Sequence, residues 1–530
     1  MSAPTWSHGY FTQDVYTAGF FRETAPSWLD CAALLQGAAP PRQREGEPFR
    51  YLDLGCGMGF HIALLAALYP EGQFVGVDFH PQHIAHGRGL ARRLGLTNLQ
   101  LLEADLLDLQ RDPAARRALL GAEPFGYVVS HGVATWVVEP VQQALLAVAS
   151  ASLGPAALFY CSYNTHPGWL SRTSLHELIS LQRQRSDPAD PQAPIRWAIA
   201  TQRALLGDAK APNTPFGRSF PGMAGLLDQH EREDPRYVSQ EYANDGWQPL
   251  YVAEMHERCA AHKLSPLSTA TLTELFPGLL PAELRQLLES EPNPTVRATL
   301  IDIAVNQSFR RDVFCRGAQR LTPAERLGRL GALRFRLQLP RPLKSYAFNT
   351  SYGTVRGDTD VYRRAEQSLA AAHGPLELAA WAEAAGIEPA ELAQLAAFLL
   401  TWNRVGLDRG EAGEAALAGV QAANQRIGEL REAGAPYTWL GAPRIGNGVW
   451  ISLSEQLLAQ GLAAGLSGDL LASLVRGSLL GAGAVIPGKK GEPLTQEAAQ
   501  LKALQQQAAQ LEQQGLGWLQ SLGVLGGEPG

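Results

Sequence analysis

Cysteine is scarce and scattered in this sequence. Cys31, Cys56, Cys161, Cys259 and Cys315 are the five in 530 residues, with no C-x-x-C pair and no spacing that suits zinc. A sparse, odd set belongs with a reducing compartment rather than a disulfide framework, and no metal constellation is expected. Long apolar runs are lacking too. The longest, Leu457 to Ile486, is interrupted by Gln460, Ser467, Asp469 and Arg476, which argues against a membrane span. There is no surplus of basic charge: a formal net charge of −6 gives no general attraction to nucleic acid or anionic membrane. The opening MSAPTWSHGY has no basic stretch followed by an apolar one, so no secretory signal is expected. These exclusions leave a cytoplasmic enzyme, with no membrane insertion and no nucleic-acid partner, as the expectation.

What is present is a folded chain, 45% hydrophobic and 18% charged, long enough for roughly two to four domains. Its first part alternates short apolar runs with amphipathic ones. FRYLDL (Phe49 to Leu54) reads as a buried strand, followed by a helix that stops at Pro70. QFVGVDFH (Gln73 to His80) reads as a second strand ending in Asp78, and NLQLLEADL as a third ending near Glu103 and Asp105. FGYVVSHG is a fourth ending at Ser130 and His131, and AALFYCSYN (Ala156 to Asn164) a fifth. Such alternation predicts a parallel, doubly wound α/β sheet whose ligands sit at the carboxyl ends of the strands.

Between the first strand and its helix stands D-L-G-C-G-M-G-F, Asp53 to Phe60. A dinucleotide fingerprint needs its third glycine where this chain has Phe60. Here the glycines are Gly55, Gly57 and Gly59, and a carboxylate just before them suits a cationic ligand better than a pyrophosphate. The pattern resembles motif I of class I S-adenosylmethionine (SAM) methyltransferases, whose cofactor carries an ammonium and a sulfonium. The resemblance implies that Asp78 accepts both ribose hydroxyls, as an ionised carboxylate with two oxygens can. It also implies that Asp105 meets the adenine amino group and that His131 and Gly132 lie beside the methyl donor. A glycine turn in an unrelated α/β protein is the competing reading. Acids at the ends of three successive strands weigh against it.

HGVATWVVEPVQQALLAV (His131 to Val148) and SYNTHPGW (Ser162 to Trp169) narrow the resemblance. They are similar to bacterial methyltransferases with a methyltransferase regulatory domain, among them the rickettsial protein-lysine methyltransferases. So are YTAGFFRETAPSWLDCAALLQG (Tyr16 to Gly37), SQEYANDGWQPLYVAEM (Ser239 to Met255) and NQSFRRDVFCR (Asn306 to Arg316). This chain departs from the family pattern at His166 and Gln240. The resemblance carries cofactor contacts onto Tyr16 and Thr24 of the lead-in. It carries them also onto Cys56, Phe79 and Leu106, beside the glycine and acidic positions. Phe20, Phe21, Trp136, Tyr163 and Trp169 are aromatics that suit a wall for a cationic or methylated amine, although each equally suits a core. His166 is the candidate base that would take a proton from an incoming amine, and Trp136 and Tyr163 complete the expected catalytic set.

The implied fold is a seven-stranded, Rossmann-like class I methyltransferase sheet, with KLSPLSTA (Lys263 to Ala270) and SFRRDVFCR (Ser308 to Arg316) as strands six and seven. Residues 1–165 form the SAM-binding core, 166–245 an insertion serving as lid or dimer contact, and 246–316 the end of the sheet. The middle of the insertion, Gly207 to Gly222, reads as an exposed loop. Residues 317–530 read as an all-α extension, winged-helix-like over 317–410 and a C-terminal helical region over 411–530. The third helix of the winged part, Pro389 to Trp402, has no Lys or Arg for phosphate contacts, which favours a protein partner or a homodimer over DNA. The arginines of RLGRLGALRFRLQLPRP read as a solvated face. The expected function is methyl transfer from SAM, with protein lysine as acceptor by resemblance. The alternatives are a small-molecule N- or O-methyltransferase and a SAM-binding scaffold without turnover.

Overall fold

A computed structural model describes residues 5–12, 18–186, 190–208, 213–338, 343, 345–357, 359–410, 413–488 and 491–526. Tyr16 and residues 209–212 of the expected loop lie outside the described residues. Seven strands share one sheet: β1 (Phe49–Leu54), β2 (Gly72–Asp78), β3 (Leu99–Glu103), β4 (Phe125–Ser130), β5 (Leu153–Asn164), β6 (Ser265–Thr269) and β7 (Phe309–Cys315). Their order is 3-2-1-4-5-7-6. β1 to β5 are parallel, and β7 enters antiparallel between β5 and β6.

Strand alternation sorts side chains into two cores. Tyr51 packs on one face with Phe74, Leu101, Tyr127 and Tyr160. Leu52 and Leu54 pack on the other with Val75, Val77, Val128 and Phe159. Both faces are covered, which is why the strands read as nearly continuous apolar runs. The Tyr51 face is covered by α1 (Pro26–Leu35), α2 (Phe60–Leu68) and α3 (Pro81–Leu94). In α3 the buried Ile84, Gly87, Leu90, Ala91 and Leu94 follow helical spacing, and Gly95 at φ 72° ends the helix. β2 stops at Asp78, as expected. Pro81 is preset for a first helical turn, and His80 caps α3 by accepting from Gln82 N.

The insertion between β5 and β6 is helical and has its own core, in which Leu175, Ile179, Ile195, Leu227 and Tyr242 are joined by Phe11, Trp136 and Trp169. The stretch expected as an open loop holds the helix Pro215–Ser219. Thr214 starts it by accepting the Gly217 amide at 3.0 Å.

Beyond the sheet the chain is not all-α as expected: strands Arg334–Leu337, Leu376–Glu377 and Val405–Leu407 combine with helices Thr359–Ala371, Leu378–Ala385 and Pro389–Thr401 in a winged-helix-like arrangement. The third helix faces inward: Leu392 and every residue from Leu395 to Leu400 are buried. Arg336 corrects the expected solvated face, since its Nε donates to the buried Asp408 carboxylate at 2.7 Å. Further on, the helix Glu414–Glu432 and the hairpin of Trp439–Ala442 with Asn447–Trp450 pack over α2 and α3. Val420, Ile427, Tyr437, Leu440, Ile445 and Val449 thereby join the core that holds Phe60, Leu64 and Tyr69. Leu504 and Ala508 of the last long helix pack on Leu458, Leu471 and Val475 within the same region, as their spacing predicts. No described helix is long and apolar enough to cross a membrane.

Candidate active site

A cleft opens at the carboxyl edge of β1, β2, β3 and β4, where the connections to the helices diverge. Its floor is the loop Gly55–Gly59. The loop folds back on β2, with Gly55 N and Cys56 N both donating to Val77 O at 2.8 and 3.0 Å. All three glycines have positive φ, a region that L side chains rarely enter. A Cβ on Gly55 would meet Val133 Cγ2 at 2.4 Å, whereas one on Gly57 would project into open space on the lining of the cleft. The first glycine is needed for packing and the second leaves room for a ligand.

Asp78 ends β2 and organises the loop. Its Oδ2 accepts from Gly57 N at 2.9 Å, its Oδ1 from His80 N at 2.9 Å, and His83 Nδ1 lies 3.2 Å from Oδ1. Asp53 is buried at the end of β1. Burial first, and the like charge of Asp78 second, push its carboxyl up to about 8. No Lys or Arg is among the described residues that line the cleft. A pyrophosphate would find no counter-charge here, while a cation would relieve the strain between two carboxylates. The donor set therefore fits a ligand with an ammonium and a ribose, as SAM has.

Asp105 caps the helix α4 (Leu106–Arg111) by accepting from Leu107 N at 2.8 Å, and its other oxygen lies 2.6 Å from His8 Nε2. His8 belongs to an N-terminal arm whose Trp6 and Tyr10 both pack on Phe79, with ring centroids 5.6 and 5.5 Å away. The arm is strapped to the insertion, since Asp245 N donates to Gly9 O and Phe11 N to Asn244 Oδ1. At the opposite end of the cleft Phe21 stacks on His131 with 3.6 Å between centroids. His131 Nδ1 pairs with Tyr160 OH at 2.9 Å, and Gly132 N donates to Ser162 Oγ. Burial, then the Arg311 charge, hold His131 well below the ordinary histidine range, so this wall is neutral.

Of the expected cofactor residues, Gly55, Cys56, Gly57, Gly59, Asp78, Phe79, Asp105, Leu106, His131 and Gly132 line one cleft, with Asp53 buried beside it. Thr24 does not line it. Its hydroxyl donates to Phe21 O and lies 2.7 Å from His61 Nε2, while His61 Nδ1 accepts from Phe21 N. Burial pushes His61 down to about 3, so a neutral ring clamps the turn that carries Phe21. The expected catalytic set is not brought together. Tyr163 lies in the core on the other face of the sheet, its hydroxyl donating to Asp312 Oδ2 at 2.6 Å. Trp136 packs in the insertion core, edge-on to Trp169 at 6.0 Å. His166 sits past β5 against Tyr251, away from the cleft lining, with its Nδ1 buried and unpartnered. Sequence reasoning missed His8, Tyr10 and His61, which do line the cleft. Only the aromatic and histidine richness of TWSHGYF hinted at the first two.

Comparison with known proteins agrees with this geometry. A family model described as "Methyltransferase domain" matches residues 47–164, and one described as "Predicted methyltransferase regulatory domain" matches residues 234–316. An uncharacterized protein of Synechocystis sp. is 27% identical over 86% of this chain and 87% of its own length. One from Rickettsia prowazekii is 32% identical over 42% of this chain and 83% of its own length. PKMT2 from Rickettsia typhi, solved in complex with AdoHcy, shares the fold with a TM-score of 0.69 at 19% identity, over 95% of this chain and 99% of that one. The sheet order, glycine loop and acidic cleft define a SAM-dependent class I methyltransferase. Within that class, the chain belongs to the methyltransferases that carry a methyltransferase regulatory domain.

Proposed function

We propose that this enzyme methylates amine nitrogens of a protein, lysine side chains above all. The observation that carries the reading is the extent of the likeness to PKMT2, which spans the insertion and the C-terminal region as well as the methyltransferase sheet. The sequence resemblance to protein-lysine methyltransferases points the same way. SAM supplies an electrophilic methyl on a positively charged sulfur, so the protein's part is alignment and exclusion of water.

In this reading Asp53 takes the ammonium of the cofactor, Asp78 its ribose hydroxyls, and Asp105 the adenine edge under the cover of His8. Phe21 and the neutral His131 form the wall along which the acceptor nitrogen arrives. Free lysine has a pKa of about 10.4, and an apolar, uncharged wall favours the unprotonated amine that can attack. The test is incubation with methyl-labelled SAM and a bacterial lysate, followed by mass spectrometry of labelled proteins. Methyl-lysine on a small set of proteins is the expected result. Label confined to small molecules would overturn the protein acceptor, and SAM binding without any transfer would mark a scaffold.

A further inference from the structure

The loop that shapes the SAM site has an anchor far away in sequence. Met58 stands between Gly57 and Gly59 and lines the cleft. Three of the five loop residues are glycines at positive φ with no side chain to lock them, so the main-chain groups must be held. The amide side is held by Val77 O and the Asp78 carboxylate. On the carbonyl side Met58 O is met by His86 Nδ1 of α3 at 2.8 Å. His86 Nε2 is in turn 2.9 Å from the hydroxyl of Tyr437. Tyr437 is buried, and its ring lies flat on Phe60 with 4.3 Å between centroids and 5° between planes.

The donors and acceptors of this chain run in one direction. A carbonyl can only accept, so His86 Nδ1 carries the hydrogen. In the neutral ring Nε2 is then the lone-pair nitrogen, and the Tyr437 hydroxyl donates to it. The Phe60 stack fixes the plane of the Tyr437 ring and hence where that hydroxyl points.

We propose that Tyr437 is a positioning residue for cofactor binding: through His86 it fixes the tautomer that holds the Met58 carbonyl, and with it the glycine loop. The proposal rests on SAM as the ligand of this cleft. Part of the SAM site's geometry is therefore set by the C-terminal region, which contributes no residue to the cleft lining among the described residues. Phe60, which takes the place of the dinucleotide glycine, is the surface on which that region seats its tyrosine.

The full-length protein and its variants are tested by calorimetry with SAM, alongside ligand-free melting temperature and acceptor KM. Y437F keeps the ring and loses only the hydroxyl. It should weaken SAM binding about three- to tenfold, the effect of one neutral hydrogen bond, with acceptor KM unchanged and the ligand-free melting temperature lowered by no more than the loss of one hydrogen bond accounts for. H86A should weaken it at least as much, and adding Y437F to H86A should change nothing further, because the hydroxyl acts only through His86. H86N places an amide donor where Nδ1 stands. It should restore near-normal affinity and make Y437F silent in its background. Wild-type affinity in Y437F, or additive losses in the double variant, would overturn the proposal. Absence of SAM binding by the wild-type protein would overturn the SAM reading itself.

Discussion

Between Asp53 and Asp78 the cleft keeps two carboxylates that burial and mutual repulsion set against each other. The folded, ligand-free protein holds a proton on Asp53 up to about pH 8, whereas the unfolded chain releases it near the ordinary carboxyl value of 3.8. This carboxyl's contribution to stability therefore falls as pH rises from about 4 to 8. A bound ammonium favours the carboxylate, so SAM binding at pH 7 should release close to one proton, and affinity should climb with pH to about 8 and then level off. Calorimetry in buffers of different ionisation enthalpy counts that proton. Asp53→Asn should abolish its release, and an unchanged count in that variant would exclude Asp53 as its source. Asp78 has a double duty. Asp78→Ala should lower SAM affinity at least tenfold and also cost about 1–3 kcal/mol of stability, because Gly57 N and His80 N lose a charged acceptor. Denaturant unfolding beside calorimetry separates the two losses. The acids were legible because they recur at the ends of successive strands. The histidines were not: His8, His61 and His86 find their partners 97, 37 and 28 residues away, and no spacing rule reports such pairs.

At the scale of elements, helix ends tie the cofactor cleft to its surroundings. Arg22, next to Phe21, reaches the C-terminus of the helix Pro389–Thr401, where it donates to Leu400 O, Thr401 O and the Asn403 side chain. Those last carbonyls carry the negative end of the helix dipole, and a partly buried cation there contributes up to about 2 kcal/mol. Arg22→Ala should lower stability by about 1–2 kcal/mol and raise hydrogen exchange in both the helix end and the Arg22–Thr24 turn. Protection lost in only one of the two would show that they are not coupled. The first five sheet strands were readable from sequence as short apolar runs bounded by turn residues, and the end of β2 at Asp78 with them. The two that follow the insertion carry no such run and were placed by the resemblance. The helix Pro215–Ser219 was misread as loop. Its cap residue decides it: Thr214 acts through one side-chain bond, a signal weaker than hydrophobic periodicity.

For the whole molecule, the sequence points residues 317–530 to a protein partner or a homodimer, and since the seventh strand ends before Arg316, a chain ending there would be expected to keep its cofactor. The core runs otherwise. Val420, Tyr437, Leu440 and Val449 pack with Phe60, Leu64 and Leu68, and the hairpin glycine Gly448 has no room for a Cβ beside Phe20. Removing residues 317–530 exposes that face of α2 and the lead-in. Each large apolar side chain left in water costs about 1.5–3 kcal/mol, so the truncated chain should lose cooperative unfolding as well as SAM binding. Near-UV circular dichroism checks this, and a truncation with a native spectrum and normal SAM affinity would refute it. The shared core was not visible in the sequence, because packing between distant segments leaves no local period.

The stack of Phe60 on Tyr437 also sets an order of events during synthesis. By the time residue 316 has left the ribosome, the residues of every strand of the large sheet and all three acids of the cleft have been made. The ring that seats on Phe60 is still more than a hundred residues from emerging. A nascent chain thus carries the recognisable motif long before it carries the finished site.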